Sequence, residues 1–374
     1  MTTPLTPPLS GPGFGSYVPG EVTWLLKDLS HVALEGAIAE REKAIQSGRA
    51  HYAESLPVEF QPDEEYQKLF RTALSESADR LATAIGAVTD LLIADRGTEL
   101  TLVSLARAGT PVGILMRRWA QLIHGLDLPH YTISIVRDRG IDAVALDYIT
   151  ARHRPESVVF VDGWTGKGAI ARELSAALAE YAAAGGPMLS DDLAVLADPG
   201  YCVRTFGTRD DFLIASACLN STVSGLVSRT VLNSDYIGPG EFHGAKFYAD
   251  LAPFDVSYLL LDTVTDRFDA VREDAARQCA QVLASDREPT WAGWRSIEQV
   301  QHDYGLGSIN FVKPGVGETT RVLLRRVPWK ILVDAPDRPE HDHIRLLAAD
   351  RGVPVTHDPD LAYACVGLIK DVTQ

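Results

Sequence analysis

The stretch Val158-Val159-Phe160-Val161-Asp162-Gly163-Trp164-Thr165-Gly166-Lys167-Gly168-Ala169-Ile170 decides the fold. Four apolar residues make a buried strand, an acid sits at its carboxyl end, and a Gly/Thr/Lys loop opens a helix. Free backbone N–H groups at a helix start, approached closely past glycine, form an anion cradle. Asp162 at the strand tip suits two sugar hydroxyls, Thr165 adds a hydroxyl and Lys167 a positive charge. The combination points to a sugar phosphate. A nucleoside triphosphate is the rival, but Walker A needs GxxxxGK followed by Ser or Thr. Here Gly163 and Gly166 are too close together, and Gly168 follows the lysine.

Outward from this loop, short apolar runs alternate with helical periods: Leu100 to Leu105, Gly113 to His124, Tyr131 to Val136, Ile141 to Ala151, Ser157 to Val161, Gly168 to Ala184, Asp192 to Ala197. Such alternation predicts βαβ units and a parallel sheet covered by helices, an α/β core. Before it, Val22, Leu25, Leu26 and Leu29, then Tyr66, Leu69, Phe70, Ala73 and Leu74, recur with helical period, with Pro57 and Pro62 between them. They predict a helical N-terminal cap over about 21–93. Residues 1–20, rich in Pro, Gly, Thr and Ser, read as a flexible arm without the marks of a signal peptide.

Beyond the core, Thr263 to Ala284 reads as one long amphipathic helix. Strands are expected at Ser308 to Val312 and Thr320 to Arg325, joined by Lys313-Pro314-Gly315-Val316-Gly317. A small α/β module closes the chain over 328–374, so the domain reading is 1–20, 21–327 and 328–374.

The chain has 374 residues, enough for two or three domains, with 46% hydrophobic and 23% charged residues and a net charge of −15. That charge excludes a protein whose main task is coating nucleic acid through a broad basic face. Of the 35 basic residues only 8 are lysine. Cys202, Cys218, Cys279 and Cys365 form no CxxC pair, so neither a zinc site nor a disulfide framework is indicated, and a reducing cytoplasm fits. No run of about 18 apolar residues predicts a membrane span. In His341-Asp342-His343, histidines two apart on a helix point to different faces, so no metal site is assigned.

The acid-then-Gly/Thr segment resembles the phosphoribosyl pyrophosphate motif of type I phosphoribosyltransferases, with Gly163 where that motif usually has a second acid. The run Leu102 to Gly113 looks like the same fold's pyrophosphate loop, with Arg107, Ala108 and Gly109 at the turn. Ile135-Val136-Arg137-Asp138-Arg139-Gly140-Ile141-Asp142 occupies the interval where those enzymes carry a mobile loop.

A narrower resemblance covers nearly all of Tyr17 to Val372. The strings from Val161 to Gly168, Ser216-Ala217-Cys218-Leu219-Asn220-Ser221-Thr222-Val223-Ser224-Gly225-Leu226-Val227-Ser228-Arg229-Thr230, Phe242-His243-Gly244-Ala245-Lys246-Phe247-Tyr248 and Asn310 to Glu318 look like the StiP family. That family is found beside tellurite-resistance and TerD-type stress genes. The resemblance implies a phosphoribosyltransferase-type core and a Pelota-like RNA-binding tail, which Trp329 to Val372 resembles.

The expected reaction is transfer of a phosphoribosyl group from phosphoribosyl pyrophosphate to a nucleophile, giving a nucleoside-like metabolite and pyrophosphate. Asp162, Arg137 and Arg139 are then catalytic. Arg107, Ala108, Gly109 and the loop Gly163, Trp164, Thr165, Gly166, Lys167, Gly168 hold the donor, and Mg²⁺ bridges its oxygens. Cys218, Asn220, Ser224, Arg229, His243 and Lys246 are the candidates for the side of the small-molecule acceptor. RNA is a further partner for the tail, although Trp329 to Gln374 carries five basic and eight acidic residues. A homo-oligomer stays open.

StiP proteins are often labelled cysteine proteases, and Cys218 with His243 offers a thiolate and imidazolium pair. A cysteine hydrolase, or a non-catalytic nucleotide- or RNA-binding stress protein, is therefore the alternative reading.

Overall fold

The computed structural model describes residues 6–36, 52–59 and 63–369. The parts of the expected arm, cap and tail at 1–5, 37–51, 60–62 and 370–374 lie outside the described residues.

Six parallel strands make the central sheet: β1 (Thr23–Trp24), β2 (Thr101–Leu105), β3 (His130–Ile133), β4 (Val158–Trp164), β5 (Ala194–Ala197) and β6 (Thr205–Thr208). Their spatial order is β1-β3-β2-β4-β5-β6. Every residue of β2 and β5 is buried, and so are the first four of β4. Strands this apolar demand cover on both faces, as parallel sheets generally have. The α/β class read from the sequence stands, as a mixed fold with a parallel core; a specifically phosphoribosyltransferase-type fold is not established by it.

Helix α1 (Glu64–Arg96) is begun by Asp63, whose side chain accepts the Tyr66 amide at 2.9 Å, and Glu64 and Glu65 complement its dipole. At 33 residues it spans about 50 Å. Its buried stripe includes Phe70, Leu74, Leu81, Ile85, Val88 and Leu92. Helices α2 (Gly109–His124), α3 (Ala143–Thr150) and α4 (Ala169–Ala183) are the expected crossovers.

The N-terminal reading needs correction. Helical spacing at Val22, Leu25, Leu26 and Leu29 is coincidental, because Trp24 pairs with Thr132 of β3 and the Leu25 amide donates to the Thr132 carbonyl at 2.9 Å. Tertiary pairing overrides local periodicity there. Nor is the described part of the arm loose: Leu9 bridges to Trp24, and Phe14 and Tyr17 are buried against that indole.

The helix expected over 263–284 is two, α5 (Ser257–Thr265) and α6 (Phe268–Ala284), broken at Asp266 and Arg267. After α7 (Ala292–Asp303) comes β7 (Val312–Pro314). The expected strand at 320–325 is instead the end of helix α8 (Val316–Arg325), which turns Val316, Thr319, Thr320, Val322 and Leu323 inward. Its Thr/Val-rich text favours a strand, but the amphipathic period and the packing win.

The small module adds β8 (Pro328–Val333), α9 (Asp342–Asp350), β9 (Val355–His357) and β10 (Cys365–Ile369). Its sheet order is β7-β10-β8-β9, with β8 and β9 parallel and the other pairs antiparallel. A strand and a helix from before Pro328 thus belong to this module.

Candidate active site and the cleft beside it

In parallel sheets ligands gather beyond the carboxyl ends of the strands. Here the loop after β4 borders a cavity of about 670 Å³. Asp162, Trp164, Thr165, Gly166, Lys167 and Gly168 line one side, with Ala108 and Arg137; Trp294, Asn310, Lys313 and Glu318 line the other. Gly168 begins α4 in the left-handed region at φ +72°, and a Cβ there would press on Trp291 and Cys202, which makes glycine necessary.

Asp162 accepts the Gly163 amide at 2.8 Å, and burial raises its carboxyl to about 7 against that hydrogen bond. Lys167 donates to the Ile309 carbonyl at 2.5 Å. Burial lowers its ammonium to about 7, with Lys313 and Arg137 adding repulsion and Glu318 opposing. Thr165 bonds to buried Asp198, which also holds Arg209 and the Cys202 and Val203 amides. Thr165 is therefore committed to the fold.

The other predicted residues separate. Arg107 reaches the Val227 carbonyl at 3.4 Å and Glu59 at 3.8 Å. Gly109 lies so close to β4 that a Cβ would strike the Val161 carbonyl. Arg139 turns away to Glu54 at 3.7 Å and does not line the cavity. Arg137 does line it, from the turn of a two-stranded hairpin formed by Ile135–Val136 and Gly140–Ile141.

Six residues are expected on the acceptor side; none of them lines this cavity, and the strings that carry them pair through bridges between Val227 and Phe247 and between Val231 and Gly244. Lys246 bonds to the Val32 carbonyl at 2.9 Å and to Glu35 at 2.8 Å, Arg229 donates to the Ser55 carbonyl at 2.6 Å, and Ser224 to the Asn220 carbonyl at 2.9 Å. The His243 amide donates to Asp142 at 2.6 Å, and its Nδ1 lies 2.9 Å from Ser134 Oγ. Burial lowers the proton affinity of the imidazole, with Asp142 opposing.

Cys218 ends a short 3₁₀ turn, Ala215–Cys218, and is fully buried in the main core. Helix α8 lies over this turn: a Cβ on Gly317 would come within 3.1 Å of the Ala217 Cβ, and Arg321 donates to Asn220 Oδ1 at 3.2 Å. The turn follows β6, whereas His243 hangs from Ser134 at the end of β3.

The family model for the tellurite-like stress resistance cysteine protease StiP matches residues 15–265. The chain belongs to the StiP family. It is 35% identical over 370 residues to the Cysteine protease StiP of Acinetobacter baylyi (strain ATCC 33305 / BD413 / ADP1), covering 95% of this chain and 94% of that protein. The PELOTA RNA binding domain model matches residues 291–371. No solved structure matches.

These matches overturn the transferase reading: the StiP family and this relative are named for a cysteine protease, which is the alternative drawn from Cys218. Phosphoribosyl transfer and its donor are not supported. Mg²⁺ enters only with that reaction, as a bridge between the donor's own oxygens. Among the described residues no helix is long and apolar enough to cross a membrane.

Two residues escaped the sequence reading, one on the cavity wall and one outside it. Lys313 and Asp211 both come from segments read as connections. Asp211 accepts the Val316 and Ala364 amides, each at 2.9 Å, tying the core to the module. A lysine set among Pro and Gly in a chain with eight lysines was the available signal for Lys313.

Proposed function

We propose that this StiP family member is a thiol-dependent peptidase with Cys218 as nucleophile, and that its C-terminal module binds RNA. The observation that carries the reading is the relation to a protein named Cysteine protease StiP along 95% of the chain. The thiolate is the attacking species in such chemistry, so a thiol held well above neutrality is a poor nucleophile. Burial, with Asp198 adding, pushes Cys202 up to about 12; burial pushes Cys279 to about 11 and Cys365 far above its ordinary value. Cys218 stands in the longest string that resembles the family, and like the other three cysteines it is buried.

The Cys218 thiolate would attack the scissile carbonyl, forming a thioester as the amine leaves with a proton, and water would then release the acid. The imidazole of His243, whose proton affinity burial lowers, suits a base. Because α8 covers the turn, substrate access requires that helix to move.

Cleavage of fluorescein-labelled casein in reducing buffer tests the reading. Cys218→Ser should abolish turnover, and Cys202→Ser and Cys279→Ser should retain it. Activity that survives Cys218→Ser overturns it.

A further inference from the structure

Lys167 and Lys313 face the same cavity from opposite sides, one from the core loop after β4 and one from β7 of the module. Both are half-buried, and among the described residues neither makes an ion pair. Lys167 has a neutral carbonyl for partner. Beyond the effect of burial, Lys313 lowers the proton affinity of Lys167, and Arg137 lowers both, with Arg326 and Arg321 acting on Lys313 as well. Glu318, the acid nearest in effect, is bound to Arg321 at 3.1 Å. Glu173, also on the wall, uses its two oxygens on the Asp138 and Gly140 amides, both at 2.9 Å. Of the four acids on the wall, Asp138, Asp162, Glu173 and Glu318, Glu318 alone acts on both lysines, so their compensation is incomplete and an anion between them lowers the cost.

The cavity is also aromatic. Trp164 lines it from the core and Trp294 from the module, and both are half-buried. Arg172 stacks on Trp294 at 3.9 Å. Cations that track a phosphate chain, interleaved with rings on which bases stack, are the composition of single-strand binding sites. The volume of about 670 Å³ suits one or two nucleotides, within the usual range for ligand pockets.

We infer that this cavity holds the backbone of single-stranded RNA, with Lys167 and Arg137 supplied by the core, Lys313 by the module, and one tryptophan by each. The inference rests on the reading of the module as RNA-binding and extends it to residues outside the matched segment 291–371. RNA is favoured over a small anion because the cations and rings are spread over two walls rather than focused on one point. The seam between core and module is then itself the interface.

Fluorescence anisotropy of a short 5′-fluorescein-labelled oligouridine against the full chain tests this. The intact protein should bind. Lys313→Ala and Lys167→Ala should each weaken binding at least about tenfold, and each should lower the slope of log affinity against log salt by roughly 0.7. Trp294→Ala should weaken binding with the salt slope unchanged, and Lys330→Ala, outside the cavity, should change neither. Thermal melting confirms that the lysine variants fold, and Lys313→Gln serves if Lys313→Ala does not. Oligouridine binding that is indifferent to both lysines overturns the site and leaves the module reading intact. No binding by the intact protein overturns both. Displacement of the oligomer by equimolar ATP or inorganic phosphate assigns the cavity to a small phosphorylated ligand and also overturns the inference.

Discussion

Arg321 of the module reaches into the core and donates to the side-chain carbonyl of Asn220 at 3.2 Å, two residues beyond the proposed nucleophile Cys218. This bond pins α8 over the Ala215–Cys218 turn. Arg321→Ala should therefore raise the rate of Cys218 alkylation by iodoacetamide several-fold, read by peptide mapping. Cys279 lies on α6, away from the seam, and serves as the internal control. Equal alkylation of Cys218 in both proteins would show that the helix is not what shields it.

Asp211 tethers the same seam. Asp211→Ala leaves the Val316 and Ala364 amides without an acceptor, and each buried donor so orphaned costs about 1–3 kcal/mol. The expected result is faster hydrogen exchange at Val316 and Ala364 and a lower denaturation midpoint. Native exchange rates at both amides would contradict it.

Asp162 makes stability depend on pH. Its carboxyl is raised to about 7 in the folded protein, against about 3.9 in an unfolded chain. Below about pH 4 both states are neutral at this group and stability is full. Between about pH 4 and 7 the unfolded chain ionises first, so stability is lost as pH rises, by about 1.4 kcal/mol for each unit of elevation. Asp162→Asn should then be more stable than the parent at pH 8 and no more stable at pH 4 in urea melts. A constant difference across that range would refute the assignment.

Gly109 sits one turn into the βα connection after β2, tight against β4. Alanine in a helix is ordinarily favoured over glycine by about 0.5–1 kcal/mol. Here the added Cβ meets the Val161 carbonyl, so Gly109→Ala should reverse the sign and destabilise by about 1–3 kcal/mol in chemical denaturation. Gly352→Ala is no control, because its φ of +63° penalises alanine for a different reason.

The parallel core was legible because its strands are uninterrupted apolar runs, Val158 to Val161 above all, and because each is followed by a helical period. Trp24 was not, since a two-residue edge strand carries no period of its own and gains its pairing from Thr132, far along the chain. The cavity loop was legible for the same local reason that β4 was. Its opposite wall was not: Lys313 becomes informative only when the fold sets it across from Lys167. The place of the six acceptor-side residues was not legible: none of them lines the cavity, and their bonds to Val32, Ser55, Ser134 and Arg321 arise only in the fold. Cys218 and His243 are each in recognisable strings, yet spacing along a chain does not report which strand end a residue hangs from.

The order of strands in the small sheet has a consequence for synthesis. β10 lies between β7 and β8, yet it leaves the ribosome last of the four. Until Cys365 to Ile369 emerge, β7 and β8 lack the strand that joins them, and α8 has no finished sheet to pack against. The nascent chain would thus carry its Cys218 turn uncovered until Ile369 has emerged, and only then would the seal over it close.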